Sequence, residues 1–169
     1  MSEGAGRRAL RLLDGATQAC NLAGSLLILV VTLAVGADVL GRGAFGAPIP
    51  GVPELVTLSI VAIVFLQGPA ALRAGRLPRA EAADVFLKES APGLARALAD
   101  LGDLAGAAIM GVVLWASWPI AVRAWERGEF VGAVGDVTAP VWPVKAALLI
   151  GVALLLLQFL ARIARRRLG

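Results

Sequence analysis

From Gly15 to Ala37 the chain carries no formal charge, and the apolar run continues to Leu40. That stretch is long enough to cross a bilayer core as a helix, which takes about 20 mostly apolar residues. Three more such stretches follow. One runs 52–73, with Glu54 at its start and Arg73 at its end. Another runs 100–122 and is uncharged after Asp103. The last runs 139–161 and is broken only by Lys145. With the first placed at 17–40, the sequence predicts four membrane spans. Backbone N–H and C=O groups must pair within the chain when surrounded by lipid, so the spans are expected to be helices. None shows the strict alternation of a barrel strand. The expected fold is therefore all-α and integral to the membrane, one domain over 1–169. Composition agrees: 59% of the chain is apolar and 17% charged, against about 45–50% and 25% in soluble domains. A chain of 169 residues cannot hide that excess in one water-soluble core.

Several kinds of chemistry are excluded at once. The chain has no His, so imidazole catalysis, His haem ligation and His metal sites fall away. Cys20 is the single cysteine, which excludes an intrachain disulfide and a cysteine metal cluster. It is expected to be an inert, buried thiol, because no cation lies within a turn of it to favour the thiolate. The net charge of +4 does not indicate nucleic acid: the basic residues flank apolar runs and form no hydrophilic stretch that could follow phosphates. No nucleophile stands with a base, no carboxylate pair lies within a span, and no glycine loop cradles phosphate. No cofactor is expected.

The first span begins after Arg7, Arg8 and Arg11 and ends in small residues, as a secretory signal would. It is longer than the 7–15 apolar residues of a signal and is read as an uncleaved signal anchor. Lys and Arg set the orientation. With both termini inside, the inner side holds Arg7, Arg8, Arg11, Arg73, Arg76, Arg79, Lys88, Arg96, Arg162, Arg165, Arg166 and Arg167. The outer side holds only Arg42, Arg123, Arg127 and Lys145. Trp115, Trp118, Trp125 and Trp142 all fall toward the outer ends of the third and fourth spans. They suit the headgroup level, or packing between those two helices, or both.

The connections carry the remaining polar residues. Asp38 and Arg42 are four apart and can pair on one helix face. Such a pair is either a contact for a partner or a self-neutralising interfacial pair. Glu54 suits the first turn of the second helix, after Pro53, through the helix dipole. Asp100 and Asp103 are given the same role in the third. Between the second and third spans, Glu81, Asp84, Lys88 and Glu89 lie beside Val85, Phe86 and Leu87. That segment is read as a short amphipathic stretch on the membrane surface. Asn21, Gln67 and Gln158 lie within spans and are expected to hydrogen-bond between helices. Gly102-x-x-x-Gly106 and Ala107-x-x-x-Gly111 mark the third helix as one that packs closely. Four helices without central charges or broken segments are too few for a complete transport path. The residues point to an accessory or structural membrane subunit.

The run from Asp38 through Phe45 (DVLGRGAF), followed by Pro48–Leu55 (PIPGVPEL), resembles the small permease subunits of TRAP transporters, the DctQ type. Phe65-Leu66, Gly68, Arg73, Gly75-Arg76, Arg79 and Glu81 extend the likeness. Two positions depart from it: Leu77 stands near a frequent His, and Pro53 where a Trp often precedes the Glu. The resemblance implies a sodium-driven tripartite importer of organic acids in a prokaryotic inner membrane, with both termini of this subunit cytoplasmic. A periplasmic binding protein would capture the substrate. A large membrane subunit would hold the transport path and the sodium sites. The small subunit would pack beside it and extend its static scaffold. On that reading Asp38, Arg42, Glu54, Arg123, Glu126, Arg127 and Glu129 are the candidate contacts for the binding protein. The partners are the large subunit, the binding protein and the lipid bilayer. The small subunit of another tripartite carboxylate importer, or a membrane anchor of an unrelated complex, would share the architecture.

Overall fold

A computed structural model describes residues 2–76, 92–132 and 138–168. Among them, four helices are long and apolar enough to cross a membrane. These are α1 (Ser2–Phe45), α2 (Val52–Arg73), α3 (Pro92–Glu126) and α4 (Trp142–Leu168). The protein is an all-α, multi-pass membrane protein. The charged part of the amphipathic stretch expected between the second and third spans, Glu81 to Glu89, lies outside the described residues.

Helix ends follow local chemistry. Pro53 and Glu54 open α2, where a missing N–H and a carboxylate both suit the first turn. At the other end, Gly75 has φ +70°. Its N–H donates to the Leu72 carbonyl at 3.1 Å, and the Arg76 N–H donates to that of Ala71 at 3.0 Å. This is a Schellman cap, whose left-handed residue glycine adopts without strain. The same cap ends α3, where Gly128 has φ +58° and Glu129 N–H donates to Ala124 O at 3.0 Å.

Several boundaries differ from those expected from hydropathy: α3 begins at Pro92, well before residue 100, and α4 runs on to Leu168. The fourth helix starts at Trp142. Ala139 and Pro140 instead form β2, antiparallel to β1 (Phe130–Val131), with Phe130 opposite Pro140 and Val131 opposite Ala139. Apolar content marks Ala139 as membrane-compatible, but it cannot register a backbone ladder to a distant segment. The first helix is also far longer than its span. Its 44 residues extend about 66 Å, twice the thickness of a bilayer core.

The helices form an open row in the order α1, α2, α4, α3, and α1 touches α4 only lightly. Contacts fix their directions. Gly24 lies against Gln67 and Asp14 against Arg73, so α1 and α2 are antiparallel. Gly68 meets Leu155 and Gly151 meets Phe65, so α2 and α4 are parallel. Gly106 meets Phe159 and Gly111 meets Leu156, so α3 and α4 are antiparallel. One end of the row therefore gathers the N- and C-terminal segments, and the other the α1–α2 turn and the β ladder.

The seams are lined by small residues. Ala62, Ala95, Ala107, Ala124 and Ala161 are buried, whereas Leu22, Leu26, Leu29 and Leu33 of α1 and Leu101, Leu104, Ile109 and Val112 of α3 are exposed. This inverts a soluble core. Lipid is as apolar as leucine, so close backbone approach and interhelical hydrogen bonds hold such helices together. Of the packing residues expected on α3, Gly106 and Gly111 face α4 and Ala107 is buried, but Gly102 faces open space. The buried stripe runs through Ala95, Asp103 and Ala107, one residue away from Gly102. Successive residues on a helix lie about 100° apart, enough to turn Gly102 away. The closest approach lies elsewhere: a Cβ on Gly151 would sit 2.1 Å from the Phe65 carbonyl oxygen.

Candidate functional site

At the ladder end, Asp38 is buried near the end of α1. Its carboxylate accepts hydrogen bonds from Arg42 Nη2 at 2.8 Å and from the Ile49 backbone N–H at 2.7 Å. The expected same-face pair exists, and the second bond also ties the turn between α1 and α2 to the end of α1. Arg42 remains largely exposed beside it. Glu54 is half-buried in the first turn of α2, and among the described residues no ion pair links it to Arg42.

Arg123, Glu126 and Arg127 are exposed at the end of α3. The cap at Gly128 turns the chain so that Glu129 meets α4. Lys145 Nζ donates to Glu129 Oε2 at 2.5 Å, and Val141 N–H donates to the Glu129 carbonyl at 3.0 Å. Lys145 thus has a specific partner as well as an interfacial position. The Lys145 hydrogen bond holds the Glu129 carboxyl below the ordinary glutamate range, against the opposing effect of desolvation. A lowered native pKa means the pair supports the fold above the unfolded value and is lost as pH falls through the native one. Amide protection at Val141 and in the ladder, that is, exchange relative to an unstructured peptide at the same pH, is therefore expected to be high at neutral pH. It should fall only below the ordinary glutamate pKa of about 4.3. In Glu129→Gln the protection should be lower at neutral pH and should lose this dependence.

At the terminal end the structure joins charges that lie far apart in sequence. Asp14 of α1 pairs with Arg165 of α4 at 2.6 Å and with Arg73 of α2 at 3.3 Å. One turn further in, Gln158 of α4 is fully buried and its amide donates to Thr17 Oγ1 of α1 at 2.9 Å. Gln67 similarly reaches Ser25 at 3.3 Å between α2 and α1. These are the interhelical bonds expected for Gln158 and Gln67, each typically worth about 0.6 kcal/mol. On the other side of α4, Asp103 pairs with Arg162 at 3.5 Å and closely with Arg166, while Asp100 meets Arg166 Nε at 3.0 Å. The helix-dipole role expected for Asp100 and Asp103 is overturned. The helix begins at Pro92, and the dipole effect fades within the first turn. Arginines of α4 are what hold both carboxylates.

Asp14 and the Asp103 cluster were not among the candidate sites read from sequence. The available signal was a lone acidic residue at the edge of each apolar run beside arginines, since a carboxylate there needs a partner. Among the described residues, no group of three or more His, Cys, Asp or Glu side chains is placed to hold a metal ion. What the arrangement offers is a belt of ion pairs that ties the helices together at the terminal end, and a Glu129–Lys145 pair that ties the α3 cap to α4 at the ladder end. Between them lie apolar helices whose outer faces are uncovered.

The family model for the DctQ component of the tripartite ATP-independent periplasmic transporters matches residues 31–169. No curated protein and no solved structure matches the chain. The matched region takes in the last third of α1, with the Asp38–Arg42 pair, and all of α2, α3 and α4. The chain belongs to the DctQ family and is a small membrane subunit of a TRAP transporter.

Proposed function

We propose that this subunit serves a sodium-coupled importer of organic acids in a prokaryotic cytoplasmic membrane, where it extends the static scaffold of the large membrane subunit and helps to dock the periplasmic binding protein. The observation that carries the scaffold role is the open row. Both edges, α1 and α3, present long uncovered apolar faces, and exposed apolar surface of that extent suits a partner or lipid. Ion pairs at the terminal end tie α1 to α2 and α4, and α3 to α4. The substrate path and sodium sites belong to the large subunit. The twelve basic residues gathered on one side support cytoplasmic termini.

The ladder end then faces the periplasm. Asp38 and Glu129 hold the two turns in place from within the chain, Glu54 lies beside the first of them, and Arg42, Arg123 and Arg127 are exposed around them. These arginines are the contacts for an acidic patch on the binding protein. Rim charges act mainly on association rate and its salt dependence. With Arg42, Arg123 and Arg127 all replaced by Gln, the binding protein is expected to dock about tenfold more slowly at low ionic strength. The difference should shrink as salt is added. Stopped-flow docking to the reconstituted complex measures this, with sodium-gradient-driven uptake as the second readout. Unchanged docking and uptake would refute the docking role while leaving the scaffold role to co-purification with the large subunit.

A further inference from the structure

The seam between α3 and α4 changes along its length. Midway along, it is closed, with Gly106 against the Phe159 ring, and toward the terminal end a separate cleft of about 590 Å³ lies between Asp100, Leu101 and Leu104 of α3 and Leu160, Ile163 and Ala164 of α4. Toward the ladder end it opens into a cleft of about 250 Å³ walled by Trp118, Trp125 and Trp142, with Glu126 lining it and small apolar side chains of both helices beneath. Trp118 and Trp125 are seven residues apart, two turns of α3, and so share a face. Trp142 stands edge-on to Trp125, with ring centroids 4.7 Å apart and planes at 84°. A second groove, of about 790 Å³, shares Trp118 with the cleft. It continues past Trp115 and Ala116 to Gly111, and every residue lining it is apolar. Headgroup-sized space and chain-sized space therefore adjoin at Trp118.

The chemistry of the two parts differs. Indole faces are electron-rich and attract ammonium groups, best of all from tryptophan. Glu126 adds a carboxylate that makes no ion pair among the described residues, whereas the nearby Glu129 is held by Lys145. An anionic headgroup would meet that carboxylate unfavourably. The adjoining groove is lined by apolar side chains without a charge, which suits an acyl chain. We infer that the cleft and groove form a binding site for a phospholipid with an ammonium-bearing headgroup, the ammonium among Trp118, Trp125, Trp142 and Glu126 and an acyl chain along the groove. A free solute cation would use the cleft alone and leave the groove unexplained. This assigns Glu126 to the seam and not to the docking surface.

The chain is well suited to the test, because its four tryptophans all lie in this region and it contains no Tyr. The full-length protein would be reconstituted in phosphatidylglycerol vesicles. Phospholipids brominated on an acyl chain, which quench indole fluorescence on contact, would be added with ethanolamine, choline or glycerol headgroups. Brominated phosphatidylethanolamine or phosphatidylcholine is expected to quench at about a three- to tenfold lower mole fraction than brominated phosphatidylglycerol, the preference one cation–π site can supply. Glu126→Gln should bring the headgroups together, and Trp142→Phe should weaken the preference, both with unchanged circular dichroism. Equal quenching by all headgroups would overturn the inference, as would a preference that survives Glu126→Gln. Choline chloride altering the fluorescence, with no preference among lipids, would show a free-solute site and overturn it as well.

Discussion

Replacing Gly151 by alanine is expected to be the most damaging single-methyl change in the protein, destabilising it by about 3 kcal/mol, the upper end of ordinary overpacking. The added Cβ would lie 2.1 Å from the Phe65 carbonyl oxygen and 2.5 Å from its carbonyl carbon. Both are backbone atoms of α2, so no side chain can rotate aside. The α2–α4 seam itself must open, and it is the central one of the row. Gly106→Ala provides a graded control. Its Cβ would meet the Phe159 ring at 2.7 Å, and a ring edge can swing, so a loss of about 1 kcal/mol is expected. Gly102→Ala meets nothing within 4 Å and gains helix propensity, by up to about 1 kcal/mol. Thermal melting of the three detergent-solubilised variants, followed by size-exclusion chromatography, gives the ranking. Equal melting temperatures for Gly151→Ala and Gly102→Ala would contradict the packing described.

The second large effect is expected at Asp103. Its side chain is only 3% exposed and is held by Arg162 and Arg166 of α4. Asp103→Asn keeps the shape and removes the charge, so that Arg162 and Arg166, neighbours on α4, lose their shared carboxylate and Arg166 keeps that of Asp100. Removing one partner of a fully buried pair costs about 3–5 kcal/mol. Water still reaches Arg166, which is about a third exposed, and this should reduce the loss to about 2–3 kcal/mol. Asp14→Asn should cost less, about 1 kcal/mol, because Asp14, Arg73 and Arg165 all keep more contact with solvent. A double-mutant cycle between Asp103→Asn and Arg166→Gln should show coupling above about 1 kcal/mol. Additive losses would mean that Asp103 is buried for another reason.

Residues differ in how far their surroundings are legible from the chain alone. Asp38–Arg42 was readable because both residues lie on one helix four positions apart, and geometry at that range is fixed by the helix. Gln158 was readable as a group needing a partner, though not that the partner is Thr17. Gly102 and Gly106 looked equivalent, because a spacing of four names a face without saying which way the helix is turned. Asp103 looked like a helix-end residue because its arginine partners lie some sixty positions away in the chain.

The sequence by itself determined that this is a membrane protein of four helices and placed it in its family. Transfer of apolar residues into lipid is decided locally, residue by residue, and the turn motifs after the first span are contiguous. Only the tertiary structure decided the order of the row, the backbone contact at Gly151, the ion pairs of Asp14 and Asp103, and the tryptophan cleft beside an apolar groove. Each of these depends on how helices rotate and slide against one another. Between apolar helices in lipid, hydrophobicity exerts no pull toward one rotation over another. A few glycines and charges make that choice, and their partners are distant in the chain.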